Sequence, residues 1–192
     1  CGLAGTVMRF VPPLALLVDG VVHFDGDEGA RRRPMDITID SLRGLGAKVE
    51  TASKSLPFSV QSDGKILGGE LDIDASASSQ FVSGLLLVAA RFEQGLTLRH
   101  TGHELPSLPH IEMTLETLRS RGVDARSLDE RSWRVEPGAI SGGEVVIEPD
   151  LSNAGPFLAA AMVCAGQITI PHWPSKTTQV GAEFERILPL MG

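Results

Sequence analysis

The chain repeats itself, and that limits what it can fold into more than any single motif does. Three apolar segments close on Leu45-Gly46, Arg121-Gly122 and Met191-Gly192, so the closing glycines stand 76 and then 70 residues apart. A second set of markers keeps the same phase: Ala4-Gly5-Thr6, Ser76-Ala77-Ser78-Ser79 and Asp150-Leu151-Ser152-Asn153 each precede an apolar run. Recurrence at a near-fixed spacing means that one supersecondary unit is used several times, each copy burying a face against its neighbours. The unit reads as apolar helix, short strand, second helix and two strands.

In the first copy, residues 5–17 read as an apolar helix disturbed by Pro12-Pro13, and residues 21–24 alternate as a strand does. Pro34 suits the first position of the second helix, where no amide donor is needed, and Ile37, Ile39, Leu42 and Leu45 follow near helical spacing. Strands are predicted over 58–60 and 71–73, joined through the turn dipeptide Asp63-Gly64. The second copy repeats the pattern at 81–90, 96–99, 111–118, 132–135 and 145–147. The third runs through a helix over 153–163, a strand over 168–170 and a second helix ending at Gly192. Residues 138–143 are the most loop-like. Alternation of helices with mixed strands predicts an α+β (α-β) fold, helices packed against mixed sheets. Residues 81–90 are apolar almost all round, which predicts burial on every side and, where no cover is at hand, self-association of the chain.

Composition excludes several classes. A net charge of −7 argues against nucleic acid as a partner, although Arg31-Arg32-Arg33 is a local basic cluster. The longest apolar runs fall far short of the roughly 20 residues a membrane helix needs, so no membrane partner is expected. Cys1 and Cys164 form no metal pair by spacing, and two thiols in so long a chain predict a reducing compartment, the cytoplasm. The five histidines show no ligand spacing, so no metal is expected; phosphate-binding P-loop, nucleophile-elbow and dinucleotide fingerprints are also absent. The start, Cys-Gly-Leu-Ala-Gly, has neither an initiator Met nor a basic segment followed by an apolar one, and reads as the middle of a longer protein rather than a secretion signal.

Three stretches have chemistry to offer, each beside a plainer reading. Ser78-Ser79-Gln80 opens an apolar helix, where free amides and hydroxyls favour an anion; the ordinary reading is a helix cap. Gly2-Leu3-Ala4-Gly5-Thr6 also precedes a helix and lets a ligand approach the backbone; the ordinary reading is a tight turn. Arg31-Arg32-Arg33 stands just before a helix start, an unfavourable place for cations that a bound anion would offset; otherwise it is a solvated surface cluster.

Taken in order, five stretches resemble the 5-enolpyruvylshikimate-3-phosphate synthase family. They are Gly2-Leu3-Ala4-Gly5-Thr6-Val7-Met8-Arg9-Phe10; Asp25-Gly26-Asp27 with Arg33-Pro34-Met35; Ser76-Ala77-Ser78-Ser79-Gln80-Phe81; Leu105-Pro106-Ser107-Leu108-Pro109-His110-Ile111-Glu112-Met113-Thr114; and Glu148-Pro149-Asp150-Leu151-Ser152-Asn153-Ala154. The resemblance implies repeated β-α-β-α-β-β units in two similar domains that close on substrates. On that scheme residues 1–147 are two of the three units of an amino-terminal domain, and 148–192 begin the second domain after a hinge. It implies transfer of the enolpyruvyl group of phosphoenolpyruvate to the 5-hydroxyl of shikimate 3-phosphate, with release of phosphate and no cofactor. Ser78, Ser79, Gln80 and Ser107 match shikimate 3-phosphate ligands; Gly5, Arg33 and Gln80 match phosphoenolpyruvate ligands; Arg9 looks structural.

The catalytic lysines, carboxylates and further arginines of the family have no counterparts here, so a family-length protein is expected to be a monomeric enzyme and this chain alone to be inactive. His110 stands where many relatives carry Tyr. Phe10 stands where many bacterial relatives carry Pro, so sensitivity to glyphosate, the family's herbicide, is not carried over. UDP-N-acetylglucosamine enolpyruvyl transferase and a non-catalytic phosphate-binding module are the alternatives.

Overall fold

A computed structural model describes residues 1–191, and the chain divides into two compact units, 1–141 and 142–192. In the first unit, α1 (Gly5–Phe10) gives way at Val11 to a 3-10 segment, Pro12–Leu17, so the single helix predicted over 5–17 is two short ones. Prolines 12 and 13 carry no N–H to continue the α-helical ladder, and the tighter turn accommodates them. Strand β1 (Asp19–Phe24), a turn of helix α2 (Glu28–Arg31), helix α3 (Asp36–Gly44) and strands β2 (Lys48–Thr51) and β3 (Phe58–Asp63) complete the first copy. Helix α3 begins at Asp36 rather than at Pro34: Met35, at φ −128°, is the N-cap residue, and its N–H donates to the carbonyl of Lys54 at 2.8 Å.

The second copy begins with β4 (Gly69–Ile73), followed by α4 (Gln80–Ala89), β5 (Leu96–His100), α5 (Leu108–Ser120), β6 (Ala125–Asp129) and β7 (Ser132–Val135). The first sheet has the order β1-β3-β2, antiparallel throughout, and the second has β4-β5-β7-β6. Strands β5, β7 and β6 thus repeat the order of β1, β3 and β2, and β4 lies parallel to β5. The hairpin expected through Asp63-Gly64 does not form. Strands β3 and β4 belong to different sheets, and Gly64, at φ +74°, turns the chain out of one toward the other.

Helix α4 is the centre of this unit. Phe81, Val82, Leu85, Leu86, Val88 and Ala89 are all buried, as are Leu16, Leu96, Leu98, Ile111 and Leu115 around it. Its all-round apolar sequence is covered within the unit by α1, α5, β5 and the 3-10 segment. Gly84 makes the crossing with α1 close, since a Cβ there would overlap the carbonyl oxygen of Arg9.

The second unit contains α6 (Leu151–Val163), capped by the Asp150 carboxylate accepting from the Asn153 N–H at 2.9 Å, and α7 (Phe184–Ile187) between 3-10 turns. The strands predicted over 145–147 and 168–170 are absent. Val146 and Ile147 are exposed, and no neighbouring strand among the described residues satisfies their amides. No helix is long and apolar enough to cross a membrane among the described residues.

Candidate functional site: an arginine pair beside a serine turn

Of the three consecutive arginines, two are neutralised locally. Arg31 makes a bidentate pair with Asp25, at 2.9 and 2.7 Å, which holds that carboxyl below its ordinary pKa, and Arg32 pairs with Glu28. Arg33 forms no ion pair among the described residues. Its backbone is pinned by the Ser55 hydroxyl donating to its carbonyl, and its guanidinium reaches back to the Leu3 carbonyl at 3.4 Å. Gly5 makes this possible: a Cβ on Gly5 would run into the Arg33 guanidinium.

Arg9 lies four residues beyond Gly5, one turn along α1 and hence on the same face. Its Nη1 donates to the Gln80 Oε1 at 2.8 Å, its guanidinium carbon sits 5.0 Å from the centre of the Phe81 ring, and its buried Nε has no partner. Burial, and after it the charge of Arg33, lowers the pKa of Arg9, so the two guanidiniums feel one another with no carboxylate between them. Gln80 also donates from Nε2 to the Thr6 hydroxyl at 3.3 Å. Gly5, Thr6, Arg9, Arg33 and Gln80 thus form one cluster. Sequence reasoning placed Gly5, Arg33 and Gln80 here and set Arg9 aside; the i, i+4 relation to Gly5 is the signal that could have found it.

The turn before α4 is ordered from both sides. Asp74 Oδ1 accepts from the N–H and hydroxyl of Ser76 at 3.0 and 2.5 Å, which lowers the Asp74 pKa, and the Ser78 N–H donates to the Ala75 carbonyl at 3.0 Å. The capping role divides unevenly between the two serines. Ser78 Oγ accepts the Gln80 N–H at 3.3 Å, whereas Ser79 is buried at the N-cap position and makes no capping bond. The Ser78 carbonyl also accepts the Phe81 N–H at 3.3 Å, so only part of the first turn of α4 keeps free donors.

Ser107, on the neighbouring helix start, sits in the left-handed region at φ 60° and ψ 60°, with its hydroxyl 2.7 Å from His110 Nδ1. A buried bond of 2.8 Å from Thr114 to Ser83 ties α5 to α4. Helices α4 and α5 follow the parallel strands β4 and β5, so both start at the carboxyl end of that pair, the end where open α/β sheets place ligands. Ser107 makes no hydrogen bond to Ser78 or Ser79; what it shares with them is that end of the sheet.

Solved structures have this fold. EPSP synthase from Acinetobacter baumannii superimposes with a TM-score of 0.67 at 24% identity, covering 83% of this chain and 35% of that one. The enolpyruvyl transferase NikO from Streptomyces tendae does so with a TM-score of 0.53 at 16% identity, covering 78% and 35%. The fold is that of the enolpyruvyl transferases. The family model for EPSP synthase (3-phosphoshikimate 1-carboxyvinyltransferase) matches residues 1–192, and the 3-phosphoshikimate 1-carboxyvinyltransferase of Kocuria rhizophila is 59% identical over 194 aligned positions, all of this chain and 44% of that protein. The chain belongs to the EPSP synthase family, and it spans less than half the length of that curated relative.

Proposed function

We propose that this chain provides one wall of a site that transfers the enolpyruvyl group of phosphoenolpyruvate to the 5-hydroxyl of shikimate 3-phosphate. The observation that carries the reading is the cluster in which Arg9 and Arg33 face Gly5 with no carboxylate partner among the described residues, while Gln80 ties Arg9 and Thr6 to the serine turn. Two adjacent guanidiniums repel, and a bound carboxylate or phosphate relieves that repulsion with charge-assisted, bidentate bonds. Phosphoenolpyruvate has both groups. Ser78, Ser79 and Ser107, with the free amides of α4, suit the phosphate of shikimate 3-phosphate, and Gln80 lies between the two ligands.

In the reaction the 5-hydroxyl attacks C2 of phosphoenolpyruvate as C3 gains a proton, and the tetrahedral intermediate then expels phosphate and loses a proton from C3. This wall contributes orientation of two anions and fixed donors for developing charge. Proton transfer needs acid–base groups that the cluster does not contain, so the chain alone binds and does not turn over. The reading also makes the protein cytoplasmic, consistent with its free thiols Cys1 and Cys164. Membership of the family favours shikimate 3-phosphate over UDP-N-acetylglucosamine as acceptor.

Calorimetry tests the assignment. Shikimate 3-phosphate binds the chain, and Ser79→Ala weakens it by roughly 10- to 150-fold, the worth of one hydrogen bond to a charged group. Binding that is equal in both proteins removes Ser79 from the site. If a family-length protein carrying this sequence binds both ligands and turns neither over, the non-catalytic module is the correct reading.

A further inference from the structure

His100 ends β5 and is 4% exposed, beside the point where β4 ends and the chain turns toward Ser78 and Ser79. Its Nδ1 accepts the N–H of Ala75 at 3.1 Å. A backbone N–H can only donate, so Nδ1 carries a lone pair in this arrangement; Nε2 is buried with no partner. The carbonyl of the same Ala75 accepts the Ser78 N–H. Both polar groups of Ala75 are therefore committed, one to the histidine and one to the serine turn.

The surroundings hold the ring in place. The His100 N–H donates to the Arg131 carbonyl at 2.8 Å, and Thr101 donates from its N–H and hydroxyl to the Ile73 carbonyl at 2.9 and 3.2 Å. A Cβ on Gly102 would come within 2.6 Å of His100 Cε1 and overlap Ser76 Oγ and Asp74 Oδ1, so only glycine lets the histidine and the turn pack this closely.

We propose that His100 is a positioning residue for the shikimate 3-phosphate subsite: by accepting the Ala75 N–H it fixes the turn that presents Ser78, Ser79 and the first amides of α4. The inference rests on the reading of that subsite given above. Ala75 is fully buried, and without the imidazole its N–H has no acceptor, so the turn relaxes to find one.

The test compares the wild-type chain with His100→Asn and His100→Leu, reading shikimate 3-phosphate binding by calorimetry and amide hydrogen exchange at Ala75 and Ser78. Asparagine places an oxygen where Nδ1 stands and keeps the acceptor; leucine fills similar space without one. His100→Leu is expected to weaken binding about tenfold and speed exchange at Ala75 by a similar factor, while His100→Asn stays within about threefold on both. If the leucine chain does not fold, His100→Gln, whose amide falls at the Nε2 position, replaces it with the same expectation. Unchanged Ala75 exchange without the acceptor overturns the proposal, and so does an asparagine variant as weak as the leucine one. If the wild-type chain binds no shikimate 3-phosphate, the reading of the subsite fails, and exchange at Ala75 alone then decides whether His100 holds the turn.

Discussion

The two copies inside the first unit share a strand order and differ in the groups gathered at the start of their first helix. Helix α1 of the first copy carries Gly5 and Arg9 and is approached by Arg33; helix α4 of the second is preceded by Ser78 and Ser79, opens on Gln80 and has no cation in its opening turn. One copy gathers guanidinium groups there, the other neutral hydroxyls and amides. The framework recurs in both copies because it depends on apolar periodicity, which many residues share. Site chemistry rests on a few positions at the helix starts, and those are free to diverge. The contact between α1 and α4, where Gln80 bonds to Arg9 and Thr6, joins the two solutions into one surface.

Breaking that contact has the largest expected effect. A Cβ at Gly84 meets the Arg9 carbonyl, part of the backbone and unable to swing aside, so Gly84→Ala forces α1 away from α4. Overpacking of this kind costs about 1–3 kcal/mol, or roughly 2–12 °C in Tm for a chain of this size. The same displacement stretches the Arg9–Gln80 bond, so affinity for both ligands falls together. A thermal melt unchanged from wild type would show that the helices are not held this closely.

Arg33→Lys affects one copy only. It keeps the charge and loses the planar fork, and in an enzyme of family length it raises the phosphoenolpyruvate requirement about tenfold while leaving that for shikimate 3-phosphate nearly unchanged. Kinetics in which both requirements rise equally would mean that the arginine pair serves the whole surface rather than one ligand.

The first two copies of the repeat, with helices α3, α4 and α5 and strands β1, β3, β4, β5 and β7, were legible because each has an apolar face with the right period; the strand expected in the third copy is absent, and its closing Gly192 lies outside the described residues. Strands β2 and β6 were missed: Lys48–Thr51 and Ala125–Asp129 bury only Val49 and Ala125, too little to give an alternating signal, and exist because they pair with β3 and β7. Residues 145–147 err in the opposite direction. Val145-Val146-Ile147 has high strand propensity, yet a strand is made by its partner, and none is present among the described residues. In the site, the serine turn could be read from the sequence and the family resemblance singled out Arg33, but nothing in the residues themselves showed that Arg33 is the unpaired arginine of the Arg31-Arg32-Arg33 run. That choice depends on Asp25 and Glu28 reaching Arg31 and Arg32, a matter of where α2 places them.

The smallest expected effect separates the two copies by their acid stability. In the second copy Glu136 accepts from Arg134 and Arg126 at 2.6 and 2.8 Å, and these bonds hold its carboxyl down from an ordinary 4.5 to about 2. In the first copy the corresponding strand β2 has only the same-strand pair Lys48–Glu50, well exposed at 3.0 Å. A carboxylate whose folded pKa is depressed contributes stability that is complete above its unfolded value near 4.5 and disappears as pH falls toward 2. Glu136→Gln removes that contribution, so wild type melts slightly above the variant at pH 7, and the gap closes between pH 4.5 and 2. The pair is partly exposed, so added salt narrows the gap at neutral pH as well. Melting curves for the two proteins across that pH range check the assignment, and a gap that stays constant down to pH 2 would mean that the two arginines do not hold Glu136 in solution.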